Sequence, residues 1–135
     1  MIFSSMEHVI KWAHTTIGLP CSTEVQKNTP DEFLLVDRTG GEMDYPHDSP
    51  EYTISIWTRS SARSEQVAHE LAIALKVAPP TDRNINAVFT PNVFSYGKQE
   101  GDFVVWQVTF SMSVNIKDER NKLWQLTLPR YLLAH

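Results

Sequence analysis

The sequence has a single cysteine, Cys21, among 135 residues, so no disulfide can form within the chain. That fits a reducing compartment and a fold that needs no covalent staple. No apolar run approaches the roughly 18 residues a membrane-crossing helix requires. The opening MIFSSMEHVIKW lacks a basic start and an apolar centre, so it is not expected to act as a secretory signal. Charge of one sign is also scarce. Twelve Lys and Arg stand against 16 Asp and Glu, a net charge of −4 with pI near 5.7, and no basic cluster is visible. Those values argue against non-specific nucleic-acid binding through the whole surface. Internal repeats and low-complexity segments are missing too. What is present is ordinary for a globular domain: 41% hydrophobic and 21% charged residues. Residues 1–117 are expected to form one domain. Residues 118–135 form an apolar tail, expected to dock on the body or on a neighbouring subunit.

The patterning predicts an α+β fold, a mostly antiparallel sheet with two main helices on one face. Ser4 and Glu7 have capping-box spacing, and Met6, Val9, Ile10, Ala13 and Ile17 recur at helical intervals before Gly18 and Pro20. A first helix over residues 5–17 follows. Val25 is placed on a possible short edge strand. Phe33, Leu34, Leu35 and Val36 read as a buried strand, over residues 33–38. Residues 39–50 hold Gly40, Gly41, Pro46 and Pro50 among polar side chains and read as an exposed, mobile loop. Tyr52, Ile54 and Ile56 alternate with polar partners in a strand over residues 52–58. Ser60 and Ser61 introduce a helix over residues 62–76, with Val67, Ala68, Leu71, Ala72, Leu75 and Ala78 on one stripe. A strand is expected near residues 87–94, interrupted at Pro91, and residues 97–101 form a glycine-flanked hairpin loop. Residues 103–116 are the clearest strand. Val104, Trp106, Val108, Phe110, Met112, Val114 and Ile116 point one way over about 40 Å. A strand that long is expected to bend or to run beyond the domain body.

The candidate chemistry is thin. Asp44, His47, Asp48 and Glu51 offer metal ligands within eight residues, but in no known metal-binding spacing. A solvated loop is the favoured reading over a metal-dependent hydrolase. His8, His14 and His69 lack a second ligand one helical turn away. The serines sit in no nucleophile elbow, and Cys21 lies in a polar connector. Arg38-Thr39-Gly40-Gly41 lacks the Lys-Ser/Thr of a phosphate-binding loop. Trp12, Trp57, Trp106 and Trp124 stand singly, as packing residues do. No enzyme activity and no cofactor is expected.

The pieces Val36-Asp37-Arg38-Thr39-Gly40-Gly41, Ser49-Pro50, Ile54-Ser55-Ile56-Trp57 and Ala68-His69-Glu70-Leu71-Ala72, in that order, resemble the tail terminator and neck proteins of long-tailed bacteriophages. The resemblance covers residues 6–116. It implies an α/β sandwich in a hexameric ring at the head-proximal end of the tail. That ring caps the tail tube, stops its polymerisation and presents a surface to the head-completion protein. It also implies residence in the virion after assembly in the host cytoplasm, with no membrane partner and no direct sequence-specific nucleic-acid partner. Another neck component, a head–tail connector or a head-closure protein, stays open. The residues expected at ring or partner contacts are Arg38 in the turn, Asp44 and Asp48 in the following loop, Lys98 and Glu100 in the hairpin loop, and Trp124 and Leu126 in the tail.

Overall fold

Ser4 has extended backbone, and its hydroxyl accepts the Glu7 N–H at 3.3 Å. This satisfies one of the free donors at a helix start. Helix α1 runs Ser5–Ile17 and ends at Gly18, whose φ of 84° is left-handed. Ser60 caps α2, Ser61–Val77, in the same way, through the Arg63 N–H at 3.3 Å. The computed structural model describes residues 2–117. Among these, the strands are β1 (Cys21–Ser22), β2 (Phe33–Gly40), β3 (Met43–Asp44), β4 (His47–Asp48), β5 (Glu51–Thr58), β6 (Ile85–Val88), β7 (Asn92–Lys98) and β8 (Val104–Asn115). A 3-10 turn, Glu100–Asp102, precedes β8. The α+β expectation holds. The sheet is antiparallel except where β1 lies parallel to β2, and both helices pack on one face.

β8 is the spine of the sheet. On one side it pairs with β5 over Val104–Ser111 and then with β4 at Val114 and Asn115. On the other side it pairs with β7 and then with β6. Its 12 residues are long because four strands share them. Of the two expectations for so long a strand, bending or running beyond the domain body, the second does not hold, because β8 is paired within the body to its end. Among the described residues β1, β3, β6 and β7 each have one strand partner, and β7, with seven residues, is the longest of these edges.

Alternation along the strands sorts the side chains into two faces. Leu34, Val36, Tyr52, Ile54, Ile56, Val108, Phe110, Met112 and Val114 point toward the helices and are buried against Val9, Ala13, Val67, Ala68, Leu71 and Leu75. Ala72 packs at the margin of that core, and Ala78, the last of the expected stripe, is exposed. Trp106, expected to be covered, is only half-buried at the margin. The opposite face carries a second, smaller cluster. Phe33 stacks on Trp57 at 5.4 Å, and Phe103 meets both edge-on at 5.5 and 5.7 Å. Trp57 is thus not a single scattered aromatic. Val105, at the start of a strand whose even-numbered residues face the helices, is buried on this side across from Trp57.

Three local expectations need correction. Val25 is exposed and in no strand; the short edge strand is β1, held by its parallel register with Leu34 and Leu35. Residues 39–50 are mostly exposed, as expected, but they carry strand structure. Gly40 still belongs to β2, and β3 and β4 form a hairpin around the cis Tyr45–Pro46 bond. The hairpin is tied to the end of β8 by Ile116 N–H donating to the Pro46 carbonyl (2.8 Å) and Met112 N–H to the Pro50 carbonyl (2.9 Å). These backbone groups lie opposite each other only once β8 is in place, which no local pattern encodes. The break at Pro91 is real and divides β6 from β7, while residues 97 and 98 still belong to β7.

Candidate functional site

The turn after β2 is built around Arg38. Its guanidinium donates to both carboxylate oxygens of Asp48, each at 2.8 Å, and to the carbonyl oxygens of Gly40 (3.2 Å) and Gly41 (3.3 Å). Asp48 is only 5% exposed, and the Arg38 side chain 34%. A two-pronged pair of this kind fixes direction as well as distance. The bond to Asp48 holds the Arg38 pKa above its ordinary value. Gly41 completes the turn with φ of 105°, a region closed to most side chains.

Beside this pair lies Tyr52, buried, its hydroxyl 2.5 Å from that of Ser5. Burial pushes the phenol above its ordinary value of 10.0, against the opposing pull of the Ser5 hydrogen bond and the Arg38 charge. Arg38, Asp48, Tyr52 and Ser5 line a shallow cleft of ≈ 410 Å³ between the α1 start and the β3–β4 hairpin. On the face turned away from the helices, the hydroxyls of Thr39, Thr53 and Thr109 form a row at spacings of 3.0 and 3.3 Å across β2, β5 and β8. Gln107 donates to Ser55 in the next row at 3.1 Å. This face has no layer over it among the described residues.

The other expected contacts lie at the far rim. Glu51 stands opposite Ser111 and Thr58 opposite Val104, so the β2–β5 connection and the β7–β8 connection occupy opposite ends of the sheet. At that far end Lys98 and Glu100 are exposed, and Lys98 reaches Asp102 at 3.7 Å. Arg59 closes the same rim. Its guanidinium lies 4.4 Å over the Phe103 ring and donates to the Gly101 carbonyl.

The seven expected contact residues therefore divide. Asp44 is exposed at one rim, and Lys98 and Glu100 at the other. Arg38 and Asp48 are occupied with each other, and Asp48 is not the free loop acid it was expected to be. Trp124 and Leu126 lie outside the described residues. Of the four conceivable metal ligands, Asp48 is taken by Arg38, and among the described residues no three His, Cys, Asp or Glu side chains converge to hold an ion. The Arg38–Asp48 pair is not legible locally because nine mostly polar residues lie between its members. The signal was the glycine pair that lets the chain double back between them.

Cys21 lines a cleft of ≈ 490 Å³ with Ile10, His14 and Phe33. Burial pushes its thiol from 9.0 up to about 11, the opposite of what a nucleophile requires. No protein-family model matches this sequence, and no curated protein matches it.

Proposed function

We propose that this chain is a structural protein of a long-tailed bacteriophage: a tail terminator that closes into a ring, a hexamer, on the head-proximal end of the tail tube. The observation that carries this reading is the turn Asp37-Arg38-Thr39-Gly40-Gly41. It resembles the turn of that protein family, and it is braced by Arg38 on Asp48 and on the Gly40 and Gly41 carbonyls. In this reading Arg38 and Asp48 set the shape of a contact surface, and the exposed Asp44 makes the contact.

Ring closure requires a surface that repeats from subunit to subunit. The outer edge of β7 supplies one. Seven residues of strand have no partner on that side among the described residues, and Phe94 and Tyr96 are exposed along it. Open strand edges accept further strands. Two polar rims at opposite ends of the sheet suit a ring with the tail tube on one side and a head-completion protein on the other. The reading includes no catalytic step and no cofactor, and it places the protein at the tail–head junction of the virion, assembled in the host cytoplasm.

The test is to incubate the purified chain with assembled tail tubes and view the ends by electron microscopy. A ring of this protein at one end of each tube is expected. Tubes that end bare, with the chain bound to portal assemblies instead, would assign it to another neck component. Binding to neither would overturn the proposal.

A further inference from the structure

The sheet has a second open edge, on the side away from β7. β1 lies along only Leu34 and Leu35 of β2, so residues 36–40 have no strand partner on their outer side among the described residues. Asp37, Arg38 and Thr39 are exposed there. Each neighbouring pair in the order β2, β5, β8, β7 is antiparallel. Three reversals leave β7 running opposite to β2. A second copy whose sheet continues the first therefore presents its β2 antiparallel to the first copy's β7.

The side chains fix a register. The hydroxyl row of Thr39, Thr53 and Thr109 leads on to Asn92, which stands opposite Thr109 on β7. The row thus begins at one open edge and ends at the other. Asn92 is exposed, and its amide has no hydrogen-bond partner among the described residues. Setting Asn92 beside Thr39 of the next copy continues the row. It also sets Val93 beside Arg38, Phe94 beside Asp37 and Ser95 beside Val36. Each pair then shares one face of the sheet. Val93 and Val36 pack on the helix side, whereas Phe94 and Asp37 stand in line with Gln107 and Thr53 on the other. A slip of one residue would set core-facing side chains beside outward-facing ones. Register shifts between Ser95 and Gly97 on β7 and between Arg38 and Gly40 on β2 confine regular pairing to this stretch.

We propose that a second copy of this chain docks head to tail by adding residues 36–39 of its β2 to residues 92–95 of β7. This contact rests on the proposed self-association through β7 and adds the edge that β7 meets; it does not require a tail tube. Every copy carries one edge of each kind, so the contact repeats from copy to copy and closes into a ring where the rotation allows.

Engineered disulfides test it. Within one copy Thr39 and Asn92 lie three strand spacings apart, about 14 Å, which no disulfide spans. Across the proposed contact they are direct neighbours. Cys21→Ala/Thr39→Cys/Asn92→Cys is oxidised at high protein concentration and resolved on a non-reducing gel, with circular dichroism to check the fold. A ladder of covalent oligomers is expected, about tenfold or more above the yield of either single-cysteine variant. Dimers formed as readily by Cys21→Ala/Asn92→Cys alone overturn the proposal, since they assign the β7 edge to the β7 of a second copy. A folded double-cysteine protein that stays monomeric on the gel also overturns it. A ladder from a protein that leaves tail tubes bare upholds this contact and removes the phage reading.

Discussion

Gly41 is the position with least tolerance. A Cβ there would stand 2.1 Å from the Ser49 carbonyl oxygen and 2.8 Å from Pro50 Cα, on a backbone already left-handed. The strain alone costs about 1–3 kcal/mol, and the clash with Ser49 adds to it. Gly41→Ala is therefore expected to lower the midpoint of urea unfolding clearly, and an unchanged midpoint would contradict this reading of the turn. Arg38 and Asp48 should respond unequally. Arg38→Ala strands a carboxylate that is 5% exposed, whereas Asp48→Ala leaves a guanidinium that already reaches water. Losing the partner of a buried charge costs about 1–3 kcal/mol or more. Arg38→Ala should thus be the more destabilising, by chemical denaturation at neutral pH. Cys21 allows a pH test. With its thiol at about 11 instead of 9.0, the folded protein at pH 8 holds on the order of a hundredfold less thiolate than the unfolded chain. Alkylation should be slow in buffer and fast in denaturant. The sign for stability follows. The unfolded chain loses this proton from about pH 9 while the folded one keeps it, so the stabilising effect is complete below that pH and vanishes as pH rises through 11. Tyr52, shifted the same way, adds to the alkaline loss.

At the scale of elements, β8 organises the molecule and α2 is anchored to it. The buried Ser64 hydroxyl donates to the Val104 carbonyl at 2.7 Å and lies 2.7 Å from the Thr58 hydroxyl, so the first turn of the helix is fastened to the start of the spine strand. Along β8, Phe110 is 2% exposed in the middle of the core. Phe110→Ala is expected to cost about 3–5 kcal/mol. Trp106, two pairs of residues earlier on the same face, is half-buried and should cost distinctly less. Its indole N–H has no hydrogen-bond partner. Trp106→Phe should therefore change stability by under about 1 kcal/mol, since no bond is lost. Denaturant midpoints for the three variants check the order, and a Trp106→Ala loss equal to that of Phe110→Ala would refute it.

For the whole molecule, the decisive feature is that the two polar rims lie at opposite ends of the sheet. Asp44 belongs to one rim and Lys98 and Glu100 to the other, so reversing their charges should have separable effects in a ring held between two partners. Each variant is expected to fold, since exposed substitutions of this kind shift stability by under about 0.5 kcal/mol. Asp44→Lys should weaken one junction, to tube or to head, and Lys98→Glu/Glu100→Lys the other, because rim charges govern encounter and register. Complementation of a terminator-deficient phage, scored separately for tail length and for head attachment, provides the measurement. Variants that restore both fully would remove these rims from the mechanism. Asp48 is not a member of this set, because its reversal would break the turn and the result could not be read as a docking defect.

What the sequence determined by itself was local. Ser4, Gly18 and Ser60 mark helix ends through bonds that reach at most four residues, and the alternation from Val108 to Ile116 sets which side chains face the helices, because a strand has a strict period of two. What only the tertiary structure decided was everything that depends on which strand lies beside which. Residues 39–50 look like a polar loop until the end of β8 supplies their hydrogen-bond partners. Asp48 looks like a surface acid until Arg38, ten residues away, is folded against it. Val105 lies on the strand face away from the helices and is buried only because Phe33, Trp57 and Phe103, from three separate segments, assemble on that side of the sheet. Propensity and periodicity act over a few residues, whereas pairing and burial are settled by distant segments that the local pattern does not encode.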